Sequence, residues 1–418
     1  MIQRQPQIKT WSAPENPMSH KDMISGKMTS VGILMDDSGK QAAPQTSLTS
    51  LTLTDFRNYA NVGLQITAPN VLLVGPNGAG KTNLLEAISL LAPGRGLRRA
   101  KREHLPRIDS GGALWAVAAK LVTADDEFDL GTGIPGDSQS GRRIMRRDGE
   151  TVSQAHIGRY FSASWLTPRM DGIFTESGAA RRRFLDRLVI AFDPAHIGRT
   201  SRYEKMLRER ATLLSEGRGD DAWFGAIEAS LAESAVAVTA ARLSLINDLN
   251  AEAAEGWFGF PGVHLGLEGL IESWLETMSA LDAEDKFIVL ARDRRLAGEL
   301  ALSGPHASDL LAVNNVSGTP AHLASTGQQK ALLIAVILSH ARLQARRLNR
   351  PPVLLLDDVV AHLDMDRRRA LFDALGAVGG QTWFSGTDRE DFAGLSAQIV
   401  TVDSDGKTAN LTQSEGLV

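Results

Sequence analysis

The sequence contains no cysteine. That excludes a disulfide scaffold, a thiolate metal site and a cysteine nucleophile, and it fits a reducing compartment. Nor is there an excess of positive charge: 45 Lys+Arg stand against 49 Asp+Glu, a net charge of −4. This excludes nucleic-acid binding by bulk charge, though not through a local basic surface. No stretch approaches the roughly 18 apolar residues of a membrane span, the N-terminus lacks the apolar core of a secretory signal, and no solenoid-type repeat recurs. A soluble, cytoplasmic protein is the expectation. At 418 residues, 43% hydrophobic and 22% charged, the chain is long enough for two or three domains around a sizeable core.

Residues 1–45 are polar, rich in Pro, Ser, Gln and Lys, and without sustained period, so they read as a disordered tail. They hold Met18, Met23, Met28 and Met35, any of which is a candidate natural start. Ordered structure is expected from Leu48. Leu51 and Leu53 alternate with threonines, as do Val62, Leu64 and Ile66 with polar or small residues, which predicts two strands. Val71–Val74 reads as a buried strand, and Leu84, Leu85, Ile88 and Leu91 have helical spacing. More strands are expected over 113–153, with a hairpin turn at Asp148-Gly149 and a last one at Asp405-Gly406. From about 175 to 300 the character is helical. The strand–helix pattern then resumes, with a largely apolar helix over 328–348 and buried strands at Val353–Leu356 and Thr382–Phe384. The expected organisation is a first α/β half over 46–170 with the P-loop, a helical insertion over 171–300, and a second half over 301–418.

The strongest motif is Gly75-Pro76-Asn77-Gly78-Ala79-Gly80-Lys81-Thr82 between a buried strand and a helix. Its glycines let backbone N–H groups curl round phosphates, Lys81 reaches the β/γ oxygens of ATP, and the Thr82 hydroxyl can bind Mg²⁺. Next is the apolar strand ending in Asp357-Asp358. Successive strand side chains point opposite ways, which gives the two acids different roles: Asp357 to hold Mg²⁺ through water, Asp358 to polarise the attacking water. Standing alone, the pair would read as a helix cap; the P-loop is what raises it. Third is Ser325-Thr326-Gly327-Gln328 at the start of the helix over 328–348. It is either an ordinary cap or an anion site.

The order of these pieces resembles the heads of ABC-type ATPases, in which the Ser-Gly loop of one subunit closes on the γ-phosphate held by the P-loop of the other. A sharper resemblance is to the RecF family, bacterial recombination-repair ATPases related to the heads of SMC and Rad50 proteins. It rests on Leu53-Thr54-Asp55-Phe56-Arg57-Asn58-Tyr59, on Thr82-Asn83-Leu84-Leu85-Glu86, on Arg181-Arg182-Arg183-Phe184-Leu185-Asp186, on Tyr203 with Arg210, on Gly304-Pro305-His306 with Asp309, on Ser325 to Lys330, and on Leu354 to Asp364. Ala211, Ala307 and His362 depart from the family's usual Asn, Arg and acid. The resemblance implies a mixed-sheet α/β head with flanking helices and a helical insertion, and a slow, DNA-stimulated, Mg²⁺-dependent ATPase. It implies an ATP-dependent homodimer built from one P-loop with Asn83 and the partner's Ser325, Gly327 and Gln328. It also implies partners resembling RecR and RecO, action at single-strand gaps or junctions, and help in loading a recombinase. Ser385 or Thr387 would sense the γ-phosphate, unless that segment is a plain turn.

DNA contact is expected at Arg95, Arg98, Arg99, Lys101 and Arg102, in a segment that with Arg107 carries six basic residues against Glu103. A second cluster, Arg142 and Arg143 with Arg146 and Arg147, sits near the Asp148-Gly149 turn. The alternative for both is a solvated face or partners for the chain's own acids. Arg181, Arg182, Arg183 and Arg187 form either an interaction face or internal ion pairs. A transporter energy subunit would carry Leu-Ser-Gly-Gly-Gln and a switch histidine, which this chain lacks. A structural SMC or Rad50 subunit would need far longer heptad runs.

Overall fold

The computed structural model describes residues 46–418 except 113, 124–125, 137–140, 405–408 and 418. The expected tail and the Asp405-Gly406 turn lie outside the described residues. The elements in chain order are strands β1 (Thr46–Phe56), β2 (Tyr59–Gln65) and β3 (Asn70–Val74), helix α1 (Lys81–Leu91), β4 (Trp115–Thr123), β5 (Glu127–Ile134), β6 (Ile144–Arg147), β7 (Glu150–Val152), α2 (Gln154–Ile157) and β8 (Ala163–Leu166). There follow α3 (Gly178–Phe192), α4 (His196–Glu216), α5 (Asp221–Ala253), β9 (Val263–Glu268), α6 (Leu270–Leu275), α7 (Ala280–Leu296) and β10 (Asp309–Asn314). The remainder is α8 (Thr326–Leu348), β11 (Val353–Asp357), α9 (Met365–Val378), β12 (Thr382–Gly386), β13 (Ser396–Ser404) and β14 (Ala409–Leu417).

Two six-stranded sheets hold all the strands but β9 and β10, which pair with each other. One is antiparallel, in the order β2-β1-β4-β5-β6-β7; its alternation puts Leu51 and Leu53 inside and Thr52 and Thr54 outside. Its β6–β7 hairpin turns at Asp148 (φ 50°) and Gly149 (φ 84°), the positive-φ pair that the Asp-Gly dipeptide favours. The other sheet runs β14-β13-β3-β12-β11-β8, parallel except for β14. Its inner strands β3, β12 and β11 are mostly apolar because both faces are covered. Val71, Leu73, Val353 and Leu355 pack with α1 and the antiparallel sheet. Leu72, Leu354 and Leu356 pack with α3, α8, α9 and the second half of α5.

The stretch 171–300 is not wholly helical: β9 lies inside it and pairs antiparallel with β10. Its six residues, with only Val263, Leu265 and Leu267 as apolar alternation, are too short to stand out between long helices. The 33-residue α5 meets the length and mean hydropathy of a membrane span, a point that counting uninterrupted apolar residues misses. Its apolarity serves two cores. Phe224 to Val236 join α4, α6 and α7, while Leu245 to Ala253 join the cluster under the parallel sheet.

Candidate functional site

The order β3, β12, β11 brings three strand ends together, and in an open parallel sheet ligands gather beyond those carboxyl ends. The P-loop leaves β3 there. A Cβ on Gly75 would lie 2.0 Å from the Val402 carbonyl oxygen of β13, so only glycine fits that approach. Gly78 (φ 85°) and Gly80 (φ 124°) take the left-handed turns that aim backbone N–H groups into the loop. Gly80 caps α1 without a side-chain hydrogen bond, leaving the first N–H groups and the positive helix end for an anion. Pro76, Asn77 and Gly78 are exposed, whereas Ala79 and Gly80 are buried. The Asn58 amide donates to Ala79 O (2.9 Å) and the Tyr59 hydroxyl to Gly80 O (3.1 Å), so the β1–β2 turn braces the loop from behind.

Lys81 is buried and donates to Gly75 O (2.6 Å) and Pro76 O (3.1 Å). Desolvation pulls its pKa below the usual lysine value, against the upward pull of Asp358 and Asp357. Thr82 Oγ1 donates to Asp357 Oδ1 (2.9 Å), and Ser385 Oγ of β12 donates to the same oxygen (2.8 Å). Ser385 Oγ also accepts from the Asp358 N–H (3.0 Å). Thr82 and Asp357 thus present adjacent hard oxygens, the donor set a hydrated Mg²⁺ takes beside phosphates. Asp358 does not diverge from Asp357 through strand alternation. β11 ends at Asp357, and Asp358 turns out of it at φ 50°. Thr387 is exposed, with its hydroxyl on Asp388.

Ser325, Gly327 and Gln328 are exposed at the start of α8, where Ser325 and Gln328 form a reciprocal capping box. Among the described residues no hydrogen bond joins them to Gly75–Asn83. A cavity of about 550 Å³, walled by Gln328, Arg367, Phe260 and Val316, opens beside them. None of its walls comes from the P-loop, so it is not the phosphate cradle, which is the loop itself.

The basic residues divide. Arg95, Arg98, Arg99, Lys101, Arg102 and Arg142 are exposed. Arg98 is tied inward, donating to Asn83 Oδ1 (2.5 Å) and reaching Glu86 (3.4 Å). Arg143 also turns inward, onto Gly94 O (3.1 Å) and Leu90 O (3.2 Å), where it satisfies carbonyls at the end of α1. Burial lowers its pKa to about 10. Arg143 thus caps the carbonyl-rich end of α1, which lies within its reach. Arg181 pairs with both Asp309 oxygens (2.7 and 2.6 Å) and Arg182 with Ser308 O (2.6 Å). Arg187 lies over the Trp165 ring (4.4 Å).

Glu86 and Arg57, for which the sequence suggests no role, complete the frame. Glu86 is buried and accepts twice from Arg57 (2.8 and 2.8 Å), which also reaches the His104 carbonyl. Asn83 Nδ2 donates to Asn58 Oδ1 (2.8 Å). A polar chain thus runs from the P-loop through Asn58 and Asn83 to Arg98 and Glu86. An acid on the inner face of the P-loop helix was the sequence signal for it.

The profile of the RecF/RecN/SMC N-terminal domain family matches residues 47–384. The chain is 45% identical over 367 residues to a DNA replication and repair protein RecF of Mesorhizobium japonicum, covering 86% of this chain and 97% of the relative. It is 43% identical over 373 residues to that of Agrobacterium fabrum, covering 87% and 99%. A solved structure described as the recombination mediator protein RecF-ATPrS in the RecFOR pathway superposes with TM-score 0.75 at 23% identity, covering 88% of this chain and 99% of its own. At that identity the likeness concerns the fold.

Proposed function

The chain belongs to the RecF family of DNA replication and repair proteins, and from that premise we propose that it is a P-loop ATPase in which ATP closes a homodimer on DNA and hydrolysis opens it. The observation that carries this reading is the convergence of Lys81, Thr82, Asp357, Asp358 and Ser385 at neighbouring strand ends, while the Ser325–Gln328 start of α8 stands exposed. In this mechanism Lys81 leaves the Gly75 and Pro76 carbonyls for the β/γ oxygens. Thr82 and Asp357 hold Mg²⁺, which when bound neutralises charge on the phosphates. Asp358 orients the attacking water and accepts its proton. Ser385 is committed to Asp357 and to the Asp358 N–H, which leaves Thr387 as the γ-phosphate sensor. The partner's Ser325, Gly327 and Gln328 close the site from outside, so that nucleotide and dimer form together. Exposed Arg95, Arg99, Lys101, Arg102 and Arg142 neutralise DNA backbone phosphates without reading sequence, and stimulation of hydrolysis by DNA follows from their position just after α1. A relative of known structure is described within the RecFOR pathway. Partners resembling RecR and RecO, recombinase loading at single-strand gaps and a cytoplasmic, nucleoid-associated location are part of the same proposal.

The test compares wild type with Lys81→Met and Asp358→Asn for dimerisation, DNA binding and phosphate release. Lys81→Met should lose the response to ATP. Asp358→Asn should bind ATP, hydrolyse it about a hundredfold more slowly or worse, and accumulate as a DNA-bound dimer. Hydrolysis by Asp358→Asn at the wild-type rate would remove that acid from the mechanism.

A further inference from the structure

We propose that α7 is a self-association face, onto which a second copy of this chain lays its own α7 antiparallel. The proposal goes beyond the nucleotide-dependent dimer above and does not depend on it. Leu281, Val289 and Leu296 of α7 are 68%, 58% and 69% exposed. At 3.6 residues per turn they fall within about 80° of arc, with Asp285 and Arg292 between them. Ala283, Phe287 and Ala291 lie on nearly the opposite side of the helix, buried among α4, α5 and α6. The helix therefore has two apolar faces, and among the described residues only one of them is covered.

The order of residues along the exposed stripe identifies its occupant. Leu281 and Leu296 lie equally far from the midpoint between Ile288 and Val289, and so do Asp285 and Arg292. Read from either end, the apolar positions coincide while the charges exchange sign. A two-fold axis at that midpoint sets Leu281 against the partner's Leu296 and Asp285 against the partner's Arg292, each contact occurring twice. A parallel arrangement would set like charges together, so the charges select the antiparallel one. Such self-complementarity is what a contact between two identical copies requires. Both charges are available for it. Asp285 and Arg292 are exposed, among the described residues no ion pair holds either, and on one helix they are too far apart to reach each other. Their neighbours are committed: Asp282 to Ser279 (2.7 Å), Arg294 to Glu299, and Arg295 to Asp221 (2.7 Å) and Glu228 (3.1 Å). Asp221, the acid that the charge of Arg292 reaches, is thus already bonded. One pair of helices offers less than the roughly 1,600 Å² of a standard stable interface, so the association is weak and depends on concentration.

Full-length protein without nucleotide, which keeps an ATP-closed dimer out of the measurement, is followed by sedimentation velocity over a range of concentrations. Wild type should associate reversibly, and the double variant Leu281→Ser, Leu296→Ser should stay monomeric. Asp285→Arg and Arg292→Asp should each weaken association about tenfold or more, because each turns both ion pairs into repulsions. An equal mixture of these two single variants should associate as wild type does, since each copy then carries the charges that the other needs. Thermal midpoints should not move, because the altered side chains are exposed, and this separates a lost contact from lost folding. A wild type that is monomeric at every concentration would overturn the proposal. So would association that the charge variants leave unchanged, or single variants whose weakened association mixing does not restore.

Discussion

The nucleotide site and the basic surface behind it treat charge in opposite ways. In the site every charge already has a partner inside the chain: Lys81 rests on two carbonyls, and Asp357 accepts from both Thr82 and Ser385. Binding there exchanges one set of hydrogen bonds for another in a frame that is already set. Behind α1, Arg95, Arg99 and Arg102 are exposed, and among the described residues no ion pair holds them. That surface waits for an anion from outside. The two meet at Arg98 and Glu86, where an arginine of the basic segment is held by the helix that follows the P-loop.

The largest expected effect breaks that meeting point. Glu86→Ala leaves Arg57 half-buried without its bidentate partner and frees Arg98. Removing one partner of a buried pair costs about 3 kcal/mol, the low end of the usual range because Arg57 and Arg98 can still reach water. Urea denaturation measures it. If the midpoint hardly moves, the polar chain behind the P-loop is not what holds the two regions together.

Acid should separate the interior from the surface next. His340 of α8 is fully buried, with Nε2 on Leu188 O (3.0 Å) and Gln344 Nε2 against Nδ1 (3.1 Å), and burial lowers its pKa to about 4. A base whose folded pKa is depressed is stabilising while neutral. Its contribution is complete above the unfolded value near 6.5 and is lost as pH falls toward 4. The expected loss is about 2 kcal/mol by pH 5. His340→Gln should flatten that limb of the stability profile; an unchanged limb would mean that another group carries it.

What could be read in advance follows the same division. The P-loop, β3 and α1 are contiguous and carry their own signals, so Gly75 to Thr82 was legible residue by residue. Asp357 and Asp358 were legible as a pair, but the turn at Asp358 that separates them was not, because it depends on where β11 ends. Ser385 was identified as a candidate without its bonds, since strand order is decided by pairings hundreds of residues apart. The arginines were hardest. Arg98 and Arg99 are adjacent, chemically identical and both exposed, yet only Arg98 is tied to Asn83 and Glu86. Arg99 sits at φ 52°, a left-handed turn that nothing local except the preceding Gly94 and Gly96 announces. β9 was hidden by its length, and α5 by a pattern averaged over two cores.

The smallest effect tests the division directly, on neighbours in one strand approach. Arg142 is exposed, whereas Arg143 caps the end of α1 through Leu90 O and Gly94 O. Arg143→Gln should therefore cost about 1 kcal/mol, the usual value for a lost helix cap, and leave the salt slope of DNA binding unchanged. Arg142→Gln should do the reverse, lowering the slope by about 0.9 and leaving stability alone. Because the two residues share charge, size and sequence context, only their surroundings can separate the outcomes. If both variants moved the slope equally, the inward hydrogen bonds of Arg143 would have to open when DNA binds, and the boundary between committed and available arginines would shift to include it.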